Sequence, residues 1–140
     1  MKKISIGNRS VGKDEPCFII AEAGVNHNGD IKLARNLIDA AREAGADAVK
    51  FQTFKTEELI GADAWKVQYQ KETTGADESL FKMIQKLEFS ESEFESLFSY
   101  ANEKGITFLS SPFDQSSVDL LSRLGVTAFK IASGEINNFP

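Results

Sequence analysis

The chain has 140 residues, of which 41% are hydrophobic and 26% charged, and its formal net charge is -5. This length suits one domain with a real core. The acidic balance argues against nucleic-acid binding, and no apolar run approaches the roughly 20 residues of a membrane span. The first residues lack a signal-peptide pattern, and the single cysteine, Cys17, cannot form an internal disulfide. We therefore expect a cytoplasmic protein in which Cys17 is an inert, buried thiol.

The first third of the chain predicts a hairpin followed by a strand and a helix. Residues 2–12 contain two short strand-like stretches around a Gly-Asn turn. Residues 17–21 are a short apolar run that suits a buried strand. Asp30 can cap a helix that ends at Gly45. The buried stripe of that helix is expected at Ala34, Leu37, Ile38 and Ala41.

Three further segments repeat the strand and helix alternation. Strands are predicted at residues 48–52, 107–110 and 128–131, and a helix begins near Leu80. The polar residues 54–78 predict a long excursion with one helical turn, and Glu57, Glu58 and Asp63 within it predict a solvated face. Two more helices follow, the first capped by Ser90 with Glu93 and the second by Asp114 or Ser116. The glycines that end these two helices are Gly105 and Gly125.

Two stretches of the chain, residues 45–53 and 125–133, are nearly the same in pattern. Each begins with a glycine, continues into an apolar strand with one lysine, Lys50 or Lys130, and ends on a hydroxyl residue. A lysine in an apolar strand must find an anion, reach water or lose its charge. The repeat predicts two cations at equivalent points of one sheet, around a small multiply charged anion. The alternative is two lysines that extend out of strand ends into water.

Strands that alternate with helices, and that are apolar throughout, indicate a parallel sheet covered by helices. Polar residues follow each strand, as in a (β/α)8 TIM barrel, whose site lies at the carboxyl ends of the strands. The rival is a doubly wound sheet, but residues 24–29 lack its G-x-G-x-x-G loop. Because a full barrel needs eight strands and about 250 residues, we expect the first half of a barrel. It would hold about four βα units and an N-terminal hairpin.

Polar side chains that follow parallel strands converge on one rim of a barrel. Ammonium, hydroxyl, amide and carboxylate groups together suit a phosphorylated, carboxylated substrate beside a polyhydroxylated one. The candidate residues on this rim are Glu22, Asn26, His27, Lys50, Gln52, Ser111, Phe113, Lys130, Ser133 and Glu135.

Some of these residues allow two interpretations. Glu22 ends an apolar run, where it could transfer a proton, or it could simply pair with a neighbouring lysine. His27 could polarise a substrate group or be a hydrogen-bonded loop histidine. Glu135 could contact substrate or position Lys130. Asp30 and Asp114 suit helix caps better than catalysts.

The motifs resemble the N-terminal barrel region of the sialic acid synthase family, which includes N-acetylneuraminate, legionaminic acid and pseudaminic acid synthases. The matching segments are residues 20–30, 46–53, 108–114 and 129–135. They occur in the family's order across essentially the whole chain. The resemblance implies condensation of phosphoenolpyruvate with an N-acetylated amino sugar, such as N-acetylmannosamine, to a nine-carbon 2-keto sugar acid and phosphate.

The resemblance also implies roles for individual residues. Glu22 would be the catalytic acid/base or water-orienting carboxylate. Phosphoenolpyruvate would be bound by Lys50, Ser111, Lys130 and Ser133. Gln52 and Phe113 would approach the acceptor sugar, with Asn26 and His27 from the first loop beside them. Ser111 stands where the family commonly has threonine, so the hydroxyl is kept.

The family uses a divalent metal, manganese or magnesium, whose histidine ligands lie on later strands and not in this chain. The family also has a small C-terminal antifreeze-like domain, which we expect to be absent from this chain. Because that domain reaches across to a partner subunit, the resemblance implies a homo-oligomer in the full-length enzyme. Residues 1–140 are then the N-terminal half of a phosphoenolpyruvate-dependent TIM-barrel domain, and we expect this fragment alone to be inactive. The alternatives are a synthase for a different deoxy-sugar acid, and a non-catalytic half-barrel that binds an anion or self-assembles.

Overall fold

The computed structural model describes residues 3–59 and 80–137. A β-hairpin precedes a region in which parallel strands alternate with helices. The strands are β1 (Ile4–Ile6), β2 (Arg9–Val11), β3 (Ile20–Gly24), β4 (Ala48–Thr53) and β5 (Thr107–Pro112). The helices are α1 (Ile31–Glu43), α2 (Thr56–Leu59), α3 (Leu80–Gln85), α4 (Glu91–Lys104) and α5 (Gln115–Leu124), and a 3-10 turn spans Ser133–Glu135.

Strands β3, β4 and β5 form a parallel sheet in that order, so the predicted α/β architecture is confirmed. The predicted fourth strand, residues 128–131, is wrong. A single parallel bridge joins Phe129 to Ser110, and the Lys130 N–H donates to the Ser110 carbonyl at 3.3 Å. A strand needs continued pairing, and no second neighbour for this segment lies in the part of the chain that the structure describes.

The helices begin and end where the capping residues predict. Asp30 caps α1, and Asp114, rather than Ser116, caps α5. At α4 the Ser90 hydroxyl accepts the Glu93 N–H, while the Glu93 carboxylate accepts the Ser90 N–H at 2.7 Å. This reciprocal pair satisfies two backbone groups that the first helical turn leaves free.

The core lies between one face of the sheet and the helices α1, α4 and α5. Because side chains alternate along a strand, Val49 and Phe51 of β4 point to the same side as Phe108 of β5. These three are packed with residues of the helices, among them Ile38, Phe94, Leu97, Ala101 and Leu121. The stripe expected on α1 contributes to the core, although its Leu37 is only partly buried.

The hairpin lies against the amino end of the sheet. Arg9 forms an ion pair with Asp47, whose other carboxylate oxygen accepts the Ile19 N–H at 2.8 Å.

The strand predicted at residues 17–21 begins three residues later, at Ile20. Cys17 therefore precedes the sheet and is exposed, so the expectation of a buried thiol is wrong.

Of the helices in residues 3–59 and 80–137, none is both long and apolar enough to cross a membrane.

The helical turn that was expected in the polar excursion after β4 is α2. Asp63, predicted to lie on a solvated face, falls outside the described residues. Within that face, Glu58 accepts a hydrogen bond from the Ser116 hydroxyl, and Glu57 is exposed.

Candidate functional site

The face of the sheet opposite the helices carries the polar residues expected at the site. Glu22 of β3 pairs in register with Lys50 of β4, and Gln52 pairs with Ser111 of β5. In-register residues of parallel strands point to the same side, and i and i+2 share a face. These four side chains therefore share one surface, which we call the Lys50 face.

Lys50 and Glu22 form an ion pair across the two neighbouring strands. The lysine side chain is only 10% exposed, whereas the glutamate side chain is 52% exposed. A buried ammonium is costly without a counterion, and the Glu22 carboxylate provides one. The pairing of Glu22 with a neighbouring lysine is thus realised in this structure. The exposed carboxylate also reaches solvent, as a role in proton transfer requires.

An irregularity in β3 positions Glu22. The register shifts between Glu22 and Gly24, so that Gly24 pairs with Phe51. Gly24 has a φ of +55°, which disfavours larger residues, and a Cβ at this point would lie 3.3 Å from Glu22 Oε1 and 3.7 Å from Gln52 Nε2. The missing side chain leaves free space between the glutamate and the glutamine. The sequence reasoning missed this role, although a glycine two residues after a strand-end carboxylate was a visible signal.

Ser111 presents a buried hydroxyl beside the ion pair. The residue is 1% exposed, and its Oγ has no hydrogen-bond partner within the described part of the chain. Buried hydroxyls are normally paired, because an unmade hydrogen bond costs about 1–3 kcal/mol. An oxygen-rich ligand on the Lys50 face would supply the missing partner.

Lys130 and Ser133 follow β5 and are both exposed. Phe129 bridges Ser110, so the backbone of Lys130 lies beside β5, the strand that carries Ser111. The two lysines of the repeat therefore differ in environment. Lys50 is buried and paired, whereas Lys130 reaches water.

Three predicted sugar contacts lie near the carboxyl ends of the strands. Gln52 is half-buried on the Lys50 face, and Asn26 is exposed in the turn after β3. Phe113 is half-buried directly after β5, where its N–H donates to the Thr53 carbonyl at 3.1 Å. That bond fixes the start of the loop after β5 against the end of β4.

His27 is placed differently from the expected sugar contacts. It is 1% exposed, its ring stacks on Phe89 at 4.1 Å, and its Nδ1 accepts the Gly29 N–H at 3.1 Å. Burial lowers the pKa of His27, and the nearby charge of Glu93 opposes this only in part. The ring therefore favours its neutral form. This geometry favours the second interpretation, a histidine that stabilises its own loop, over a direct contact with substrate.

Two buried hydroxyls lie on the opposite face, behind the site. Thr53 Oγ1 and Ser110 Oγ are 2.7 Å apart and share a hydrogen bond. Asp114 links the next loops, since one carboxylate oxygen accepts the Lys55 N–H and the other caps α5, both at 2.7 Å. Only the register of β4 against β5 brings Thr53 to Ser110 and Lys55 to Asp114. The spacing of residues along the chain does not predict these contacts.

The described residues do not by themselves fit a divalent metal. Within residues 3–59 and 80–137, no three His, Cys, Asp or Glu side chains come together as ligands. Glu22 is paired with Lys50, and the Nδ1 of His27 is occupied. The expected divalent metal therefore stays a prediction.

The sequence comparison decides the family. The NeuB family model matches residues 37–140. The chain belongs to the NeuB family. The resemblance to sialic acid synthases, which rested on motifs spread across the chain, is thereby confirmed.

Relatives of the chain carry synthase names. It is 49% identical over 134 residues to the N,N'-diacetyllegionaminic acid synthase of Legionella pneumophila, covering 96% of this chain and 38% of that protein. It is 54% identical over 123 residues to the enzyme of that name from Campylobacter jejuni, covering 88% and 37% respectively. The chain thus spans little more than a third of these curated relatives.

A solved structure agrees with this assignment. The N-acetylneuraminic acid (sialic acid) synthetase of Leptospira borgpetersenii, crystallised in complex with citrate, superimposes with a TM-score of 0.81 and 38% identity. The match covers 98% of this chain and 43% of that one. The α/β fold described above therefore corresponds to part of a sialic acid synthase structure.

Proposed function

We propose that this chain supplies the N-terminal half of a phosphoenolpyruvate-dependent TIM-barrel domain that condenses phosphoenolpyruvate with an N-acetylated amino sugar. The products would be a 2-keto sugar acid and phosphate. The observation that carries the proposal lies on one face of a NeuB-family sheet. The buried Lys50 ammonium lies beside the Ser111 hydroxyl, which has no hydrogen-bond partner within residues 3–59 and 80–137. A cation and a free hydroxyl are the groups that a phosphate or carboxylate needs.

The proposed phosphoenolpyruvate site consists of Lys50, Ser111, Lys130 and Ser133. The two lysines would neutralise the phosphate and carboxylate, and the two hydroxyls would orient them through neutral hydrogen bonds. The citrate complex of the related synthetase is in keeping with an anion-binding protein of this fold. Gln52, Phe113 and Asn26 are proposed to approach the acceptor sugar from the ends of the strands.

The reaction needs a new carbon–carbon bond and a water molecule. Carbon C3 of phosphoenolpyruvate attacks the sugar aldehyde, whose oxygen takes a proton, while positive charge develops at C2. Water then adds to C2, and phosphate leaves from the same carbon. Glu22 is proposed to orient this water and take its proton, because its carboxylate is the exposed one on the Lys50 face. A divalent metal, held by residues outside this chain, would polarise the aldehyde.

The test is an assay of the complete protein with phosphoenolpyruvate and a panel of N-acetylated amino sugars, in the presence of manganese or magnesium. We expect phosphate release that requires both substrates and is lost on metal chelation. Glu22→Gln should lower turnover by at least about a hundredfold, the usual contribution of a general acid or base, without loss of phosphoenolpyruvate binding. Unimpaired turnover in this variant would refute the role of Glu22.

The panel also separates the alternatives. Turnover with sugars that lack the N-acetyl group, and none with those that carry it, would indicate a synthase for a different deoxy-sugar acid. Anion binding without turnover of any sugar would indicate a non-catalytic, anion-binding protein. The sugar itself, a homo-oligomeric assembly and a cytoplasmic location remain predictions.

A further inference from the structure

Glu22 and Lys50 differ in how firmly the fold holds them. The lysine side chain is only 10% exposed, whereas half of the glutamate side chain already faces solvent. An exposed carboxylate loses little when it turns fully into water, because water solvates the charge well. The glutamate is therefore the partner that can move.

An anion that binds Lys50 must compete with this carboxylate. The ammonium of Lys50 is already neutralised by Glu22, and it is the same ammonium that the proposed function assigns to phosphoenolpyruvate. Two anionic groups on one cation repel each other at short range. The incoming phosphate or carboxylate and the Glu22 carboxylate therefore compete for Lys50.

The structure also provides space for the displaced carboxylate. Gly24 lacks a side chain, so a gap remains where its Cβ would lie, 3.3 Å from Glu22 Oε1 and 3.7 Å from Gln52 Nε2. A carboxylate turned toward the gap finds an amide donor and solvent, so its displacement leaves no buried unpaired charge. At the same time it moves away from the anion that has taken its place.

We propose that Glu22 is a built-in competitor that occupies the anion position at Lys50 in the unliganded protein and is released when an anionic substrate binds. This proposal rests on the proposed function and adds to it a coupling. Binding of the anion frees the carboxylate that is needed for the later proton transfer. A carboxylate that only orients water would lower anion affinity through its charge alone, and Glu22→Asp, which keeps that charge, would then bind anions like the wild type.

The experiment measures binding of inorganic phosphate and of phosphoenolpyruvate to the complete protein by calorimetry. The variants are Glu22→Gln, which keeps the shape but removes the charge, and Glu57→Gln, which removes a charge from an exposed residue of α2. We expect Glu22→Gln to bind both anions about tenfold more tightly, a change of about 1.4 kcal/mol, and Glu57→Gln to bind like the wild type. Glu22→Asp, whose shorter side chain reaches Lys50 less well, should lie between.

A thermal measurement supports the same comparison if affinities are hard to obtain. Without anion, Glu22→Gln should melt at a lower temperature, because Lys50 loses its counterion. Added phosphate should raise the melting temperature of this variant more than that of the wild type, since ligand stabilisation grows with affinity.

Two results would overturn the proposal, and they are distinguishable. If Lys50→Met abolishes anion binding but wild type and Glu22→Gln bind equally tightly, the competition is refuted while the proposed function stands. If neither probe binds to the wild type or to Glu22→Gln, the proposed function fails together with the competition.

Discussion

At the scale of single residues, two serines show how a buried polar atom can point to a ligand. Ser111 and Ser117 are each 1% exposed, and neither hydroxyl has a hydrogen-bond partner among the described residues. Ser111 lies on the Lys50 face, whereas Ser117 lies in the first turn of α5, on the core side. Their burial is the same, but only Ser111 is beside the proposed anion site.

The two serines predict different outcomes for the same substitution. Ser111→Ala and Ser117→Ala should each leave the free energy of unfolding unchanged or raise it by up to about 1 kcal/mol, because each removes an unsatisfied polar group. Only Ser111→Ala should weaken phosphoenolpyruvate binding, by about tenfold or more, since a hydrogen bond to a charged group contributes about 1.5–3 kcal/mol. Urea unfolding and calorimetry of the complete protein measure both quantities. Equal affinities in the two variants would remove Ser111 from the site.

At the scale of elements, the loop between β3 and α1 has a sequence that suggests substrate binding, but its contacts in the structure are mainly structural. Residues 25–30 are polar and carry the only histidine of the chain, which suggested substrate contacts. In the structure His27 stacks on Phe89 and accepts the Gly29 N–H. A Cβ on Gly29 would lie 2.2 Å from the carbonyl oxygen of Lys86, in the segment after α3. His27 and Gly29 thus pack the loop after β3 against the segment that follows α3.

Gly29 and Gly45 form a matched pair for testing this close approach. Both have a positive φ, 75° and 78°, but nothing lies within 4 Å of a Cβ on Gly45. Gly45→Ala should cost about 1–2 kcal/mol of stability from backbone conformation alone. Gly29→Ala should cost about 1–3 kcal/mol more, because the methyl group displaces backbone rather than a flexible side chain. Chemical denaturation measures the difference, and equal costs would show that the segment after α3 moves freely.

At the scale of the whole molecule, apolar side chains remain uncovered near the sheet. Ile20 of β3 is 42% exposed, and beyond β5 the exposures are 42% for Phe129, 60% for Ile131 and 70% for Ile136. The chain covers only 38% of the Legionella synthase and 43% of the Leptospira structure. Apolar surface and an unpaired strand edge favour association with other chains.

A polypeptide of only these 140 residues should therefore self-associate. Sedimentation velocity should show species heavier than the 15.4 kDa monomer that grow with concentration. Ile131→Lys combined with Ile136→Lys should shift the distribution toward monomer, whereas Ile4→Lys, on the hairpin at the opposite end, should not. A monomer that persists at high concentration without substitution would contradict the expectation.

The sequence by itself determined the parallel α/β architecture, the caps at Asp30, Ser90 and Asp114, and the family. These features depend on local spacing, because a cap, a glycine stop or an apolar stripe acts within a few residues of the chain. The same local signals placed Glu22, Lys50 and Ser111 within or directly after predicted strands. These signals did not specify which residues contact one another.

Only the tertiary structure decided which partner each polar group has. The register of β3, β4 and β5 pairs Glu22 with Lys50, and it leaves the Ser111 hydroxyl without a partner among the residues that the structure describes. The tertiary structure also shows that residues 128–131 make one bridge instead of a strand. Contacts between residues far apart in sequence depend on how whole elements pack and align. Spacing along the chain indicates which residues share a face of a strand, but it does not specify which residue of the neighbouring strand each one meets.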